Sequence, residues 1–175
     1  TVIPDPYEFA ESEPHCNGNN LLWFGHGTNI DDLWAAKQQL KGYPLRVVSN
    51  AAGTIKWSIP TLLDEMAKAD IVIIPKYAEY KSSNRAVEAI RRGCFVVAEP
   101  HPSLTNIPGI WQGNLKEGIE WASRNPQEAN ERLRSAQSFV SFQNSPQRIS
   151  TAWRTTCKAV WDSTLGVAIG TGTDG

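Results

Sequence analysis

Polar and apolar positions along this chain fall into two kinds of block. LLWFG (21–25), Leu45–Ser49, IVIIP (71–75) and FVVA (95–98) are short apolar runs with little alternation. Runs of that length predict strands covered on both faces, as in a parallel sheet. Residues 107–111 predict a short outer strand. Between these runs the apolar residues recur every third or fourth position. One helix is expected from a cap at Thr28 or Asn29, with Asp31 and Asp32 in its first turn, through Leu33, Trp34 and Leu40 to Lys41-Gly42. A second is expected over about 58–68, with Leu62, Leu63 and Met66 facing inward.

A third helix is expected over 82–92. On a helical wheel Lys81, Asn84, Arg85 and Glu88 fall on one side, and Ala86, Val87, Ala89 and Ile90 on the other. Gly93 stands where a helix end favours positive φ, and Arg91 and Arg92 suit the negative end of the dipole. From Leu115 onward the pattern is helical, with Pro126 and Pro146 each opening a new helix. Ala129, Leu133, Ala136 and Val140 form one inner stripe; Ile149, Trp153, Cys157 and Trp161 form another.

Strands alternating with helices predict an α/β fold. The expected form is a Rossmann-like parallel sheet with helices on both faces and a helical C-terminal segment. The expected division is a linker over 1–19, a Rossmann-like domain over 20–164 and a flexible tail over 165–175. The loops at 25–29, 49–57, 76–84 and 99–104 all leave strand carboxyl ends, so they are expected to converge on one cleft.

Composition narrows the function by exclusion. A length of 175 residues suits one domain with a sizeable core, and a net charge near −1 gives no electrostatic case for nucleic acid or an acidic membrane. No apolar run approaches a membrane span and no signal segment opens the chain. Cys16, Cys94 and Cys157 are widely spaced, which argues for a reducing, cytoplasmic setting and against a zinc site. His15, His26 and His101 lack metal-ligand spacing. There is no GKS/T phosphate loop, Asp-x-Asp pair or Ser/His/Asp arrangement, so no metal, cofactor or catalytic residue is assigned. The seven tryptophans mostly fall on apolar stripes and suggest packing. A chain opening at Thr1 is expected to be one domain of something longer.

Each candidate segment keeps two readings. Gly25, His26, Gly27 and Thr28 either let a diphosphate approach the backbone closely or simply turn a strand into a helix. Lys81, Ser82, Asn84 and Arg85 place two cations at a helix start with no acid before Glu88. They form an anion site or a solvated basic turn. Glu88 either accepts hydrogen bonds from a ribose diol or pairs with Arg85, Arg91 or Arg92. His101 and Ser103, in a Pro-stiffened loop, bond a sugar hydroxyl or phosphate, or have no such role. Ile55, Lys56 and Trp57 flank a flat base, or Trp57 belongs to the core.

The order strand, Gly-rich turn, helix, strand, loop, W-x-x-x-x-L, A-D-I-V-I-I-P and K-x-x-N-R-x-x-E-A-I-x-x-G-x-x-V-V-A resembles the C-terminal donor domain of GT-B glycosyltransferases, closest to the retaining family-four type. The opening VIPDPYE is similar to the linker entering that domain, and the likeness runs over about 1–162. The resemblance implies binding of a nucleoside diphosphate sugar without a required metal. Glu88 would hold the ribose, Lys81 or Arg85 the diphosphate, Gly25 to Thr28 would face the diphosphate, and Thr54 to Trp57 would flank the base. It also implies an N-terminal acceptor-binding domain that this chain lacks. The chain departs from the family at Tyr80, where a second glutamate would stand near the donor sugar. A non-catalytic binding or regulatory module is the second reading, and a nucleotide-sugar epimerase a third.

Overall fold

The structure is a computed structural model that describes residues 3–75 and 81–169, with side chains described through Ser163. Six parallel strands form one sheet: β1 (Leu21–Phe24), β2 (Leu45–Ser49), β3 (Ile55–Lys56), β4 (Ile71–Ile74), β5 (Phe95–Ala98) and β6 (Trp111–Gln112), in the order β3-β2-β1-β4-β5-β6. The helices are α1 (Ile30–Ala35), α2 (Ile59–Lys68), α3 (Asn84–Arg91), α4 (Leu115–Arg124), α5 (Pro126–Gln143) and α6 (Pro146–Ile169). This is the expected Rossmann-like α/β architecture with a long helical C-terminal segment. The chain runs outward from β1 to β3, then returns through α2 to lay β4 beside β1. The strand order therefore reverses between β1 and β4, where loops diverge and leave a crevice.

The apolar runs become central strands because they have cover on both sides. Every residue of β1, β4 and β5 is buried. On one face of β5, Phe95 meets Trp121 of α4 with ring centroids 5.7 Å apart, and Gly118 of α4 lies so close that a Cβ would stand 2.7 Å from Val97. α3 adds Ala86, Val87, Ala89 and Ile90 to the core, all of them fully buried. Burying such side chains contributes roughly 1.5–3 kcal/mol for each large one. The stripe Ala129, Leu133, Ala136 and Val140 of α5 is also buried, as expected.

Several boundaries differ from expectation. The helix after β1 ends at Ala35; through Gly42 the chain continues in i→i+3 turns, where Gln39 donates to Glu99 and accepts from Leu115 N–H. β3 was expected as loop, since two residues carry no period; it pairs with β2 at the sheet edge. The outer strand is Trp111–Gln112, because residues 104–109 turn first, with Gly109 at φ 76°. α3 begins at Asn84, so Lys81 and Ser82 precede it. Of the second C-terminal stripe only Ile149 is buried; Trp153, Cys157 and Trp161 are exposed because α6 leaves the body after its first turn. α6 extends to Ile169, and the remaining tail, 170–175, lies outside the described residues.

Candidate functional site

The carboxyl ends of β1, β2 and β3 frame a cavity of about 610 Å³ lined by Gly25, His26, Ser49, Asn50, Ala51, Thr54, Lys56 and Trp57. Ser49 organises its floor. The Ser49 hydroxyl accepts from Ala51 N–H at 3.1 Å, and its carbonyl accepts from Trp57 N–H at 2.9 Å and the Thr54 hydroxyl at 3.3 Å. The pairing of Ser49 with Lys56 in the short β3 carries the chain to Trp57, whose side chain stays 47% exposed. That exposure sets aside the core reading of Trp57 and leaves a flat aromatic face at the cavity.

The wall opposite is the glycine turn. Gly27 packs tightly here: a Cβ would stand 3.1 Å from Asn50 Oδ1 and 3.3 Å from the Ala51 methyl, so those neighbours would have to give by a few tenths of an ångström. Gly27 N–H donates to Asn50 Oδ1 at 2.6 Å, Gly25 N–H to Val48 O at 3.2 Å and Asn29 N–H to His26 O at 2.9 Å. The Asn50 amide also reaches His26 Nε2 at 3.1 Å, while His26 Nδ1 lies 3.0 Å from the Thr28 hydroxyl. Thr28 N–H donates to the same Nδ1 at 3.3 Å, so Nδ1 acts as an acceptor and the His26 ring caps the turn. Four backbone donors of this turn, those of Gly25, Gly27, Thr28 and Asn29, are therefore engaged within the protein.

A second cavity, of about 800 Å³, lies by the start of α3. Pro4, Asp5, Lys81, Ser82, Ser103 and Asn144 are among its lining residues. The two cavities are joined by cations at the β1–β4 crevice. Lys81 Nζ donates to Asn29 Oδ1 at 3.0 Å, linking the approach to α3 with the turn after β1. The Arg85 guanidinium sits 5.6 Å over the buried Trp23 ring, and one of its nitrogens lies 3.6 Å from where a Gly25 Cβ would be. Ser83, at the N-cap of α3, makes no side-chain capping bond.

Glu88 is held in a way that neither sequence reading anticipated. It is 8% exposed on α3, where its Oε1 accepts from Glu8 N–H at 2.7 Å and its Oε2 from Phe9 N–H at 3.2 Å. Burial pushes its carboxyl above the ordinary value, and the two backbone donors pull it back down. Arg91 and Arg92 turn to the same leading segment instead. Arg91 donates to Phe9 O at 3.3 Å and to the Ser141 hydroxyl at 2.7 Å, pairs with Glu11, and stacks 4.2 Å over the Tyr7 ring; Arg92 donates to Ala10 O at 3.2 Å. His101 is buried and accepts from Ser103 N–H at 3.2 Å, capping the short turn Pro102–Leu104.

The expected single cleft is thus two cavities. Gly25, His26, Lys56 and Trp57 share the first; Lys81, Ser82 and Ser103 share the second. Gly27 and Thr28 belong to the turn that walls the first, and Ile55 is the β3 residue beneath it. Asn84, Arg85 and Glu88 lie along α3, and His101 sits below Ser103. Residues 76–80 of the third expected loop, with Tyr80, lie outside the described residues. Sequence reasoning passed over Ser49 and Asn50. The signal was there: a Ser-Asn pair at the carboxyl end of a strand, the position where α/β proteins carry binding side chains. Among the described residues no group of His, Cys, Asp or Glu is placed to hold a metal, and no helix is long and apolar enough to cross a membrane.

No family model and no curated protein matches this chain. Solved structures do. Two crystal structures of Anabaena Alr3699/HepE, one in complex with UDP-glucose and one with UDP and glucose, superpose with TM-scores of 0.61 and 0.60 at 15% identity. The match covers 82% of this chain and 49% of theirs, so this chain spans about half their length. At that identity the likeness establishes a shared Rossmann-like fold.

Proposed function

We propose that this chain binds a nucleoside diphosphate sugar and is the donor-binding half of a GT-B glycosyltransferase of the retaining, family-four type. The observation that carries the reading is the 610 Å³ cavity at the strand ends, with Trp57 exposed at its rim and the cations Lys81 and Arg85 at the adjoining crevice. The fold shared with a protein solved in complex with UDP-glucose supports it. The base lies in this cavity against Trp57, where an aromatic face offers stacking without sequence-like selectivity. The diphosphate lies by Arg85, Lys81 and the uncapped start of α3, where dipole and side chains act together. Glu88 takes the ribose, and the sugar reaches toward Ser82, Ser103 and the second cavity.

Transfer would break the bond between the sugar and the diphosphate, and its barrier would fall as cations stabilise the charge developing on the departing diphosphate. The acceptor would be held by a separate domain preceding this one. The setting would be cytoplasmic, with no metal required. Calorimetric titration with UDP, GDP, ADP and their sugars, without metal, tests the reading. Saturable binding of one nucleotide, weakened at least tenfold by Arg85→Ala, is the expected result. Absence of binding up to millimolar concentration would falsify it.

The alternative is a non-catalytic binding module. Two observations favour it: the donors of the glycine turn are engaged internally, and Glu88 is already hydrogen-bonded within the chain. Binding of a nucleotide with no transfer by the longer protein would select this second reading.

A further inference from the structure

The leading segment meets α3 and α5 through three separate anchors. Upstream, Tyr7 N–H donates to Asn144 O at 3.0 Å, and the Asn144 amide donates to Asp5 O at 2.8 Å. Downstream, Arg91 and Arg92 bind the carbonyls of Phe9 and Ala10, and Ser12 N–H donates to Arg91 O at 2.8 Å. Gln137 adds a bond to Ser12 O at 2.8 Å, and His15 N–H donates to Gly93 O at 3.1 Å. Between these anchors lies the third contact, in which consecutive backbone N–H groups each meet a different oxygen of the Glu88 carboxylate.

Two donors from adjacent atoms, one to each carboxylate oxygen, is the pattern that a vicinal diol presents to a carboxylate. A ribose therefore requires the same two acceptor oxygens that Glu8 and Phe9 now use, and a buried carboxylate has no room to serve both. The bonds of Ala10, Ser12 and His15 to Arg92, Gln137, Arg91 and Gly93 do not involve Glu88, so residues 5–9 can leave, giving up the Arg91 contacts to Phe9 O and the Tyr7 ring, while residues 10–15 stay docked. The raised carboxyl of Glu88 fits this arrangement, because the covering segment desolvates it by more than the two N–H bonds return.

We propose that the Glu8–Phe9 backbone stands in for the ligand's vicinal diol on Glu88, so that docking of the leading segment and binding of the ribose exclude each other. The proposal rests on the nucleotide-sugar reading and adds regulation of that same site. Ligand binding would release residues 5–9, and whatever precedes them in the chain would be repositioned by occupancy of the site. Conversely, a partner or domain that pulls the segment away would raise nucleotide affinity, because the coupling is reciprocal.

The test removes one donor and leaves Glu88 intact. Glu8→Pro deletes the N–H that bonds Oε1; Glu8→Gln keeps it and serves as control. UDP affinity, measured by calorimetry on the 175-residue chain, is expected to rise about fivefold in Glu8→Pro and to stay within about twofold in Glu8→Gln. The gain should vanish for 2′-deoxy-UDP, which lacks the diol. Hydrogen exchange on the unaltered chain gives a second readout that survives any folding defect of the proline variant: saturating UDP should expose the amides of Glu8 and Phe9 and leave that of Ser12 protected. If UDP binds with equal affinity to all three chains and the Glu8 and Phe9 amides stay protected, the exchange is overturned while the nucleotide reading stands. If none of UDP, GDP and ADP binds any of them, both fall together.

Discussion

The cavity beside Trp57 and the seam between α3 and the leading segment differ in the reach of the bonds that hold them. Around the cavity, Ser49, Asn50, Ala51 and Thr54 bond to residues at most about one strand–loop unit away, as in Gly27 to Asn50 and Thr54 to Ala51. At the seam, Glu88, Arg91 and Arg92 bond residues some 80 positions earlier, and Gln137 and Asn144 reach back further still. A wall made of local bonds can be altered without unfolding the domain. A seam made of long-range, part-buried bonds couples stability to whatever its residues bind.

Gly93→Ala should break the comparison most severely. At φ 77° a Cβ would stand 2.2 Å from Glu13 O, so the seam must shift or strain; thermal or denaturant unfolding should show a loss of about 3 kcal/mol. Arg91→Ala removes the Phe9, Ser141 and Glu11 bonds together with the Tyr7 contact, and should cost about 2 kcal/mol in the same assay. On the cavity side, Trp57→Ala should change stability by no more than about 0.5 kcal/mol. Nucleotide affinity should nonetheless fall about tenfold, or about 1.4 kcal/mol. A large stability loss in Trp57→Ala would show that the two regions are not separable in this way.

The smallest effect concerns two buried glutamates of opposite sign. Arg46 lies against Glu65 and holds its carboxyl below the ordinary 4.5, with Nη2 donating to Oε1 at 2.7 Å. Its stabilisation is complete above 4.5 and is lost as the pH falls through its lower folded value. Glu88 lies above 4.5, mainly through burial. Its folded state holds a proton that the unfolded chain releases, so the stability it adds is full below 4.5 and is lost as the pH rises through its higher folded value. Unfolding curves across the acid range should therefore lose the upper limb in Glu88→Gln and the lower limb in Glu65→Gln. Half of the Arg46 side chain is exposed, and solvent screening keeps the Glu65 limb shallow.

Local chemistry made much of the fold legible. Four apolar runs became strands, Pro126 and Pro146 opened helices, and Gly93 took the positive φ that ends α3. Those outcomes depend on nearest neighbours and on burial, which a pattern of residue types records. The short strand β3 did not show, because a pair of residues has no period and is ordered only by its neighbour strand. The tryptophans were misjudged for a similar reason. Trp153 and Trp161 sit on a helical stripe, yet α6 departs from the body, so periodicity describes a face without saying what covers it.

The sequence by itself determined the α/β class, the succession of most elements and the cluster of polar groups on α3, because backbone propensity and amphipathic spacing act over a few residues. Only the tertiary structure decided that Asn50 closes onto Gly27, that the expected cleft divides in two, and that Glu88 meets Glu8 and Phe9 in place of a neighbouring arginine. The Glu88 contacts join groups some 80 positions apart in the chain. Their partners are chosen by the docking of a segment without regular structure onto a helix, and such docking leaves no periodic trace in the residues that make it.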